Sequence, residues 1–166
     1  MKNWIKKHLK KIKANKKSVA IFIIILCLFI FLRFYQIEEK SQFSIDQVND
    51  AWVAKNFIVD GKIPVLGTQA RLNSGIFMGP LYHYYLSGFY YITNLDPIAA
   101  GISSGVAGII TLATIFFVVR NLFSTKLAFI TGIIYTVSWA SIISDRIQWT
   151  VDFIVPVSIL MFYALY

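Results

Sequence analysis

Every residue from Val19 to Leu32 is apolar. Flanked by Ser18 and by Arg33 to Tyr35, the run predicts a first transmembrane helix over 18–36. Arg33 is expected to snorkel to the outer interface beside Tyr35. Polar residues then return with Gly61, Pro64, Gly67, Gly75 and Gly79. Residues 37–97 therefore predict an outer loop, since unpaired backbone cannot cross lipid. Inside it, a Ser44/Gln47 capping box opens a helix over 44–59, closed before Gly61. Helical spacing lines up Val48, Trp52 and Val59 on one face, and Asp46, Asp50, Val53 and Phe57 on another, with the two carboxylates one turn apart.

The stretch 80–95 is apolar but short, and carries Tyr82, His83, Tyr84, Tyr85, Phe89, Tyr90 and Tyr91. Tyrosine favours the headgroup interface, so a helix lying flat there is predicted. Uncharged residues 98–119 give a second transmembrane helix, with Gly101 and Gly105 in GxxxG spacing beside Ser104 and Gly108, a pattern for close helix packing. A loop over 120–126, a third span over 127–143, a second outer loop over 144–152 and the start of a fourth span over 153–166 complete the pattern. The fold class predicted is all-α and polytopic, about three to four transmembrane helices plus interfacial juxtamembrane helices. The last run is shorter than a hydrocarbon core is thick, which suggests a truncated piece of a larger polytopic protein.

Composition agrees with a membrane chain: 57% of residues are apolar, 16% aromatic and 14% charged. The net charge of +8 does not point to nucleic acid. Lys2, Lys6, Lys7, Lys10, Lys11, Lys13, Lys16 and Lys17 crowd into a basic tail over 1–17, directly ahead of the first apolar run, which is an orientation signal. A signal peptide has the same order, but no small-residue cleavage site follows, so an uncleaved anchor is predicted. With 80–95 flat, Arg120 and Lys126 join the tail on the cytoplasmic side of the inner membrane. Asp46, Asp50 and Asp152 then gather on the outer face. The single cysteine, Cys27, excludes an internal disulfide.

Few residues offer chemistry. Asp46 and Asp50 head a helix, where acids are also favoured simply by the helix dipole. Asp145 and Arg146 have the bland reading of a wet loop pair. Asp152 stands at the mouth of a span, where an acid needs a partner or a task. His83 among tyrosines has an interfacial explanation. No phosphate-binding loop, nucleophile elbow or metal-ligand spacing occurs, so no metal residues are assigned.

The order of these features resembles the N-terminal part of GT-C class glycosyltransferases, most closely bacterial relatives of protein O-mannosyltransferases and aminoarabinose transferases. The residues that carry the likeness are Ile45-Asp46-Gln47 with Asp50-Ala51, Gly61 and Pro64, and Gly79-Pro80-Leu81-Tyr82-His83-Tyr84-Tyr85-Leu86. Asp96-Pro97, Arg120-Asn121-Leu122-Phe123 and Arg146 to Phe153 extend it. The last block departs from an Arg-x-x-Trp-Asn-Pro-Asn form at Thr150, Val151 and Asp152.

The resemblance implies transfer of a sugar from a polyprenyl-phosphate donor to an acceptor hydroxyl at the outer face. Asp46 and Asp152 would be the catalytic acids. Asp50, Tyr82 and a cation from Arg71, Arg146 or Lys62 would bind substrate. The cofactor is left open, a divalent ion oriented by Asp46 being one option. Expected partners are membrane lipids, the lipid-linked donor and the missing C-terminal part of the same enzyme, with this chain alone inactive. The alternative is a non-catalytic small membrane protein, an accessory subunit or remnant, that acts through helix packing. A transporter piece is disfavoured because no span carries a central charge.

Overall fold

In a computed structural model the chain is all-helical, with no strand among the described residues. It describes residues 2–41, 43–69 and 75–166, with side chains from Lys16 onward. The helices are α1 (Lys2–Phe34), α2 (Ile37–Lys40), α3 (Ile45–Asp60), α4 (Leu81–Ile92), α5 (Ile98–Leu122), α6 (Thr125–Val137), α7 (Trp139–Ser144) and α8 (Ile154–Leu165), the last entered through a 3₁₀ turn over Thr150–Phe153. Two of them, α1 over Lys16–Phe34 and α5, are long and apolar enough to cross a membrane by length and composition. Along α1, Ile21, Ile23, Ile24, Leu28 and Phe31 stay exposed. That apolar surface points to association with lipid.

The hub is α5, which packs against α1, α2, α4, α6 and α8. Its buried face is built from Ala99, Ala100, Gly101, Ser103, Ser104, Gly105, Ala107 and Gly108. Small residues let neighbours approach closely, so the GxxxG spacing does what the sequence implied. A methyl on Gly105 would lie 2.6 Å from the Phe34 ring, and one on Gly108 would lie 2.8 Å from the Asp145 carboxyl carbon.

The box at the start of α3 forms as expected: the Ser44 N–H donates to Gln47 Oε1 at 2.8 Å. Gly61 ends the helix with φ 64°, the left-handed conformation glycine adopts without cost. The expected faces need correction, however. Gln47, Asp50 and Ala54 are buried, whereas Asp46, Val48, Trp52 and Val59 are exposed. Small Ala51 and Ala54 let α3 settle on Tyr82, Leu86 and Tyr90 of α4. This rotates Asp50 inward and leaves Asp46 outside.

The expected third span, 127–143, is also revised. It breaks at Ser138, whose backbone is extended (φ −62°, ψ 122°), into α6 and α7. Neither proline nor glycine causes the break. Instead the Arg33 guanidinium donates to the carbonyls of Tyr135 (2.9 Å) and Thr136, the last turn of α6. A cation on C-terminal carbonyls stabilises a helix end there. Arg33 is thus fully buried and does not snorkel.

Candidate functional site

Two hydrogen bonds tie the loop that contains α3 to the turn before α8. Gln47 Nε2 donates to the Gln148 carbonyl at 2.6 Å, and Gln148 Nε2 donates to Asp50 Oδ2 at 2.9 Å. The other carboxylate oxygen, Asp50 Oδ1, lies 3.2 Å from His83 Nε2 and accepts from Thr68 Oγ1 at 3.3 Å. Thr68 is delivered by a clasp in which Gly67 N–H donates to Met78 O at 2.9 Å and Met78 N–H to Thr68 O at 3.0 Å. Here glycine is required by proximity, since a methyl at Gly67 would sit 2.5 Å from the Gly79 carbonyl oxygen.

Asp50 and His83 are only 5% and 4% exposed. No Lys or Arg pairs with this carboxylate among the described residues. Tyr82 Oη, His83 Nδ1 and Gln148 Oε1 are buried beside it, the Tyr82 hydroxyl interacting with the Gln148 side chain. Burial, then the charges of Asp50 and Asp152, push the Tyr82 phenol far above its ordinary range, so it stays protonated. A cavity of about 220 Å³ opens here, lined by Thr68, Tyr82, Thr150 and Phe153.

Asp152 lies in the 3₁₀ turn, where its Oδ2 accepts from Ser104 Oγ at 2.7 Å and from the Trp149 N–H at 3.1 Å. Burial, with a smaller push from Asp145, raises its carboxyl to about 6 against the pull of those two donors. It borders a second cavity of about 300 Å³, lined by Thr111, Tyr135, Ser141, Ser144 and Asp145. A carboxyl that titrates near neutrality and faces a cavity can exchange a proton with a bound group.

The remaining expected site residues are dispersed. Asp46 is exposed, and its side chain makes no hydrogen bond or ion pair with Asp152 or with other described residues. Arg146 is not a loop partner of Asp145: its Nη2 donates to the carbonyls of Leu32 (2.5 Å) and Tyr35 (3.3 Å), capping the end of α1. Asp145 pairs with Arg33 instead. Lys62 makes an exposed pair with Asp60 at 3.7 Å. Arg71 falls outside the described residues.

Sequence reasoning undervalued His83 and overlooked Gln47, Thr68 and Gln148 as site residues. A signal for His83 was present, because 83, 86, 87 and 90 recur at helical spacing and form the buried stripe of α4. Among the described residues no three His, Cys, Asp or Glu side chains come together.

Compared with known proteins, the chain matches no family model, no curated sequence and no solved structure.

Proposed function

We propose that this chain forms part of an integral-membrane glycosyltransferase of the GT-C kind, moving a sugar from a polyprenyl-phosphate donor to an acceptor hydroxyl at the outer face of the inner membrane. The spans are α1, α5 and α6 with α7, and α8 is the start of a fourth. Helices α3 and α4 lie in the outer interface, α4 being 12 residues, about 18 Å, too short for a hydrocarbon core. The break at Ser138 is tolerable inside lipid because Arg33 satisfies the freed carbonyls. This topology collects ten bases and no acid on the cytoplasmic side, as the positive-inside rule favours, and all eight acids outside.

Support comes from one observation: Gln47 and Asp50 of the first outer loop both bond Gln148 of the second. The first turn of α3, which carries Asp46, is thereby fixed to the turn that carries Asp152. In the proposed reaction the acceptor oxygen forms a bond to the anomeric carbon while the carbon–phosphate oxygen bond breaks, and the electron pair leaves on phosphate. A carboxylate takes the acceptor proton. Asp46, open to an acceptor, is assigned as that base. Asp152, titrating about 6, sits beside the second cavity as the partner acid. With Arg146 committed to α1, Lys62 or Arg71 is the cation for the departing phosphate.

The test is transfer in proteoliposomes by the complete enzyme that contains this chain, supplied with a polyprenyl-phosphate sugar. Asp46→Asn is expected to lose roughly 100-fold or more in turnover with membrane insertion unchanged. Wild-type turnover in that variant overturns the assignment of the base. A complete absence of transfer by the wild type, alongside stable assembly with another membrane protein, favours the non-catalytic packing role.

A further inference from the structure

Two cations meet at the C-terminal end of α1 with no acid between them. The helix breaks at Gln36, whose backbone is left-handed (φ 52°). Ile37 then seats α2 where Gly101 of α5 leaves room for it, a methyl there falling 2.9 Å from Ile37 Cγ1. This turn brings Lys40 beside Tyr35, with Nζ 5.0 Å from the ring centre. The Tyr35 carbonyl accepts from Arg146 Nη2 at 3.3 Å. Tyr35 thus gathers a lysine and an arginine that are far apart in sequence. Both line a cavity of about 250 Å³, together with Trp139, Ile142, Ile143 and Ile147.

Neither cation is neutralised. Among the described residues no carboxylate pairs with Lys40 or Arg146. Asp145 is taken by Arg33 and Tyr135, and the exposed Glu38 and Glu39 of α2 do not line the cavity. Of the five N–H donors of a guanidinium, Arg146 uses those of Nη2 on α1, and its Nε is buried without a partner. A guanidinium with donors left over is suited to phosphate, which it holds through two parallel bonds. The rest of the lining selects a lipid. A free anion gains nothing from Trp139, Ile142 and Ile143, whereas a phospholipid sets its phosphate against the bases and its chains against the apolar wall. Trp139 is 75% exposed, and tryptophan favours the headgroup boundary. Basic pockets among membrane helices hold lipid headgroups in this way.

We infer that the Lys40–Arg146 cavity binds the phosphodiester headgroup of an anionic phospholipid of the phosphatidylglycerol type, which ties α2 to α7 at the membrane surface. A zwitterionic headgroup fits less well, because its ammonium meets two bases and no acid in the lining. A lipid-linked sugar is also misplaced here. On α7, Trp139, Ile142 and Ile143 line this cavity while Ala140, Ser141 and Ser144 line the one bordered by Asp152, so the helix stands between the two. The inference rests on the chain being embedded in a bilayer, and neither on sugar transfer nor on which side of the membrane this end of α1 faces.

The experiment places the full chain in nanodiscs of dioleoyl phosphatidylcholine with a minor share of dioleoyl phosphatidylglycerol, and native mass spectrometry reads the lipid that stays bound after ejection. A single phosphatidylglycerol per chain is expected. Lys40→Gln, at an exposed side chain, should weaken its retention about 5-fold. Lys40→Arg should keep it, and Lys55→Gln, at a base on α3, should leave it unchanged. Retention of the two phospholipids in proportion to their shares, or full retention by Lys40→Gln, overturns the site. Displacement of phosphatidylglycerol by an equal concentration of polyprenyl phosphate or of inorganic phosphate gives the cavity to the carrier or to a free anion, and overturns it as well. Failure to enter the discs at all overturns the site together with the membrane reading on which it rests. A second measurement leaves both bases intact. With Trp4, Trp52 and Trp149 replaced by Phe, Trp139 is the sole indole. Phosphatidylglycerol brominated on its chains should then quench it more strongly than brominated phosphatidylcholine at the same mole fraction, and equal quenching by the two lipids counts against the site.

Discussion

Arg33 Nε donates to Asp145 Oδ2 at 3.1 Å across 112 positions of sequence, and the Arg33 side chain is shut off from solvent. The guanidinium lies 4.0 Å from the centre of the Phe29 ring, and Tyr135 Oη donates to both Asp145 oxygens at 3.0 and 3.2 Å. One residue at the end of α1 therefore joins α6, the loop after α7 and an aromatic face. Removing one partner of a buried pair leaves the other charge uncompensated, at a cost of about 3–5 kcal/mol. Asp145→Ala is accordingly expected to lower the thermal midpoint in detergent sharply. Arg33→Met with Asp145→Leu should cost less than the two single changes added together. Additive costs would show that the pair is not coupled.

The glycine stripe of α5 gives a second expectation. A methyl at Gly105 meets Phe34 ring atoms at 2.6, 3.0 and 3.1 Å, so Gly105→Ala should destabilise by about 1–3 kcal/mol. Adding Phe34→Leu should recover part of the loss, the mark of a direct clash. Gly88, in the exposed face of α4, has nothing within 4 Å of a new methyl. There Gly88→Ala should be neutral or stabilise by up to about 1 kcal/mol. Chemical denaturation of the three variants in one detergent decides the matter.

These two contacts also mark where local sequence stops being informative. The helices themselves followed from apolar runs, the Ser44/Gln47 box and the glycine stops, all of which act within a few residues. The break at Ser138 did not, because its cause is Arg33, about a hundred positions earlier in the chain. A local rule sends an arginine at a span end to the interface, and only the packed bundle reveals carbonyls waiting for it. The site behaves in the same way. Asp50 and Asp152 were visible as acids near membrane boundaries, but the partners that bury them, Gln148 and His83 for one and Ser104 for the other, lie at least thirty residues away.

Asp152 carries a pH signature whose sign is opposite to that of an ordinary surface acid. Its carboxyl is raised from 3.8 to about 6 in the folded chain, so the folded state holds the proton more tightly than the unfolded one. Its contribution to stability is therefore present below about pH 4 and is lost as pH rises through about 6, amounting to at most about 3 kcal/mol. Asp145, also pushed up by burial, adds a slope of the same sign, so the difference between wild type and Asp152→Asn isolates the group. That difference should change between pH 4 and 6.5 and stay flat above it. Parallel stability curves for the two proteins would mean that Asp152 is not perturbed.

The flat placement of α4 can be tested with cysteines. In a Cys27→Ser background, Leu81→Cys and Ile92→Cys mark the two ends of α4, both strongly exposed at 74% and 77%. Phe123→Cys, at 70% exposure, marks the turn after α5. If α4 lies in the outer interface, an impermeant maleimide added outside intact cells labels both ends of α4 and reaches position 123 only after permeabilisation. If α4 crosses the membrane, Leu81→Cys still labels from outside, Ile92→Cys requires permeabilisation, and Phe123→Cys labels in intact cells. The second pattern would separate Asp152 from Asp46 by the full thickness of the bilayer and end the proposal that they serve one reaction. The first would leave every acid of the chain on one face, the condition that sugar transfer between the two outer loops needs.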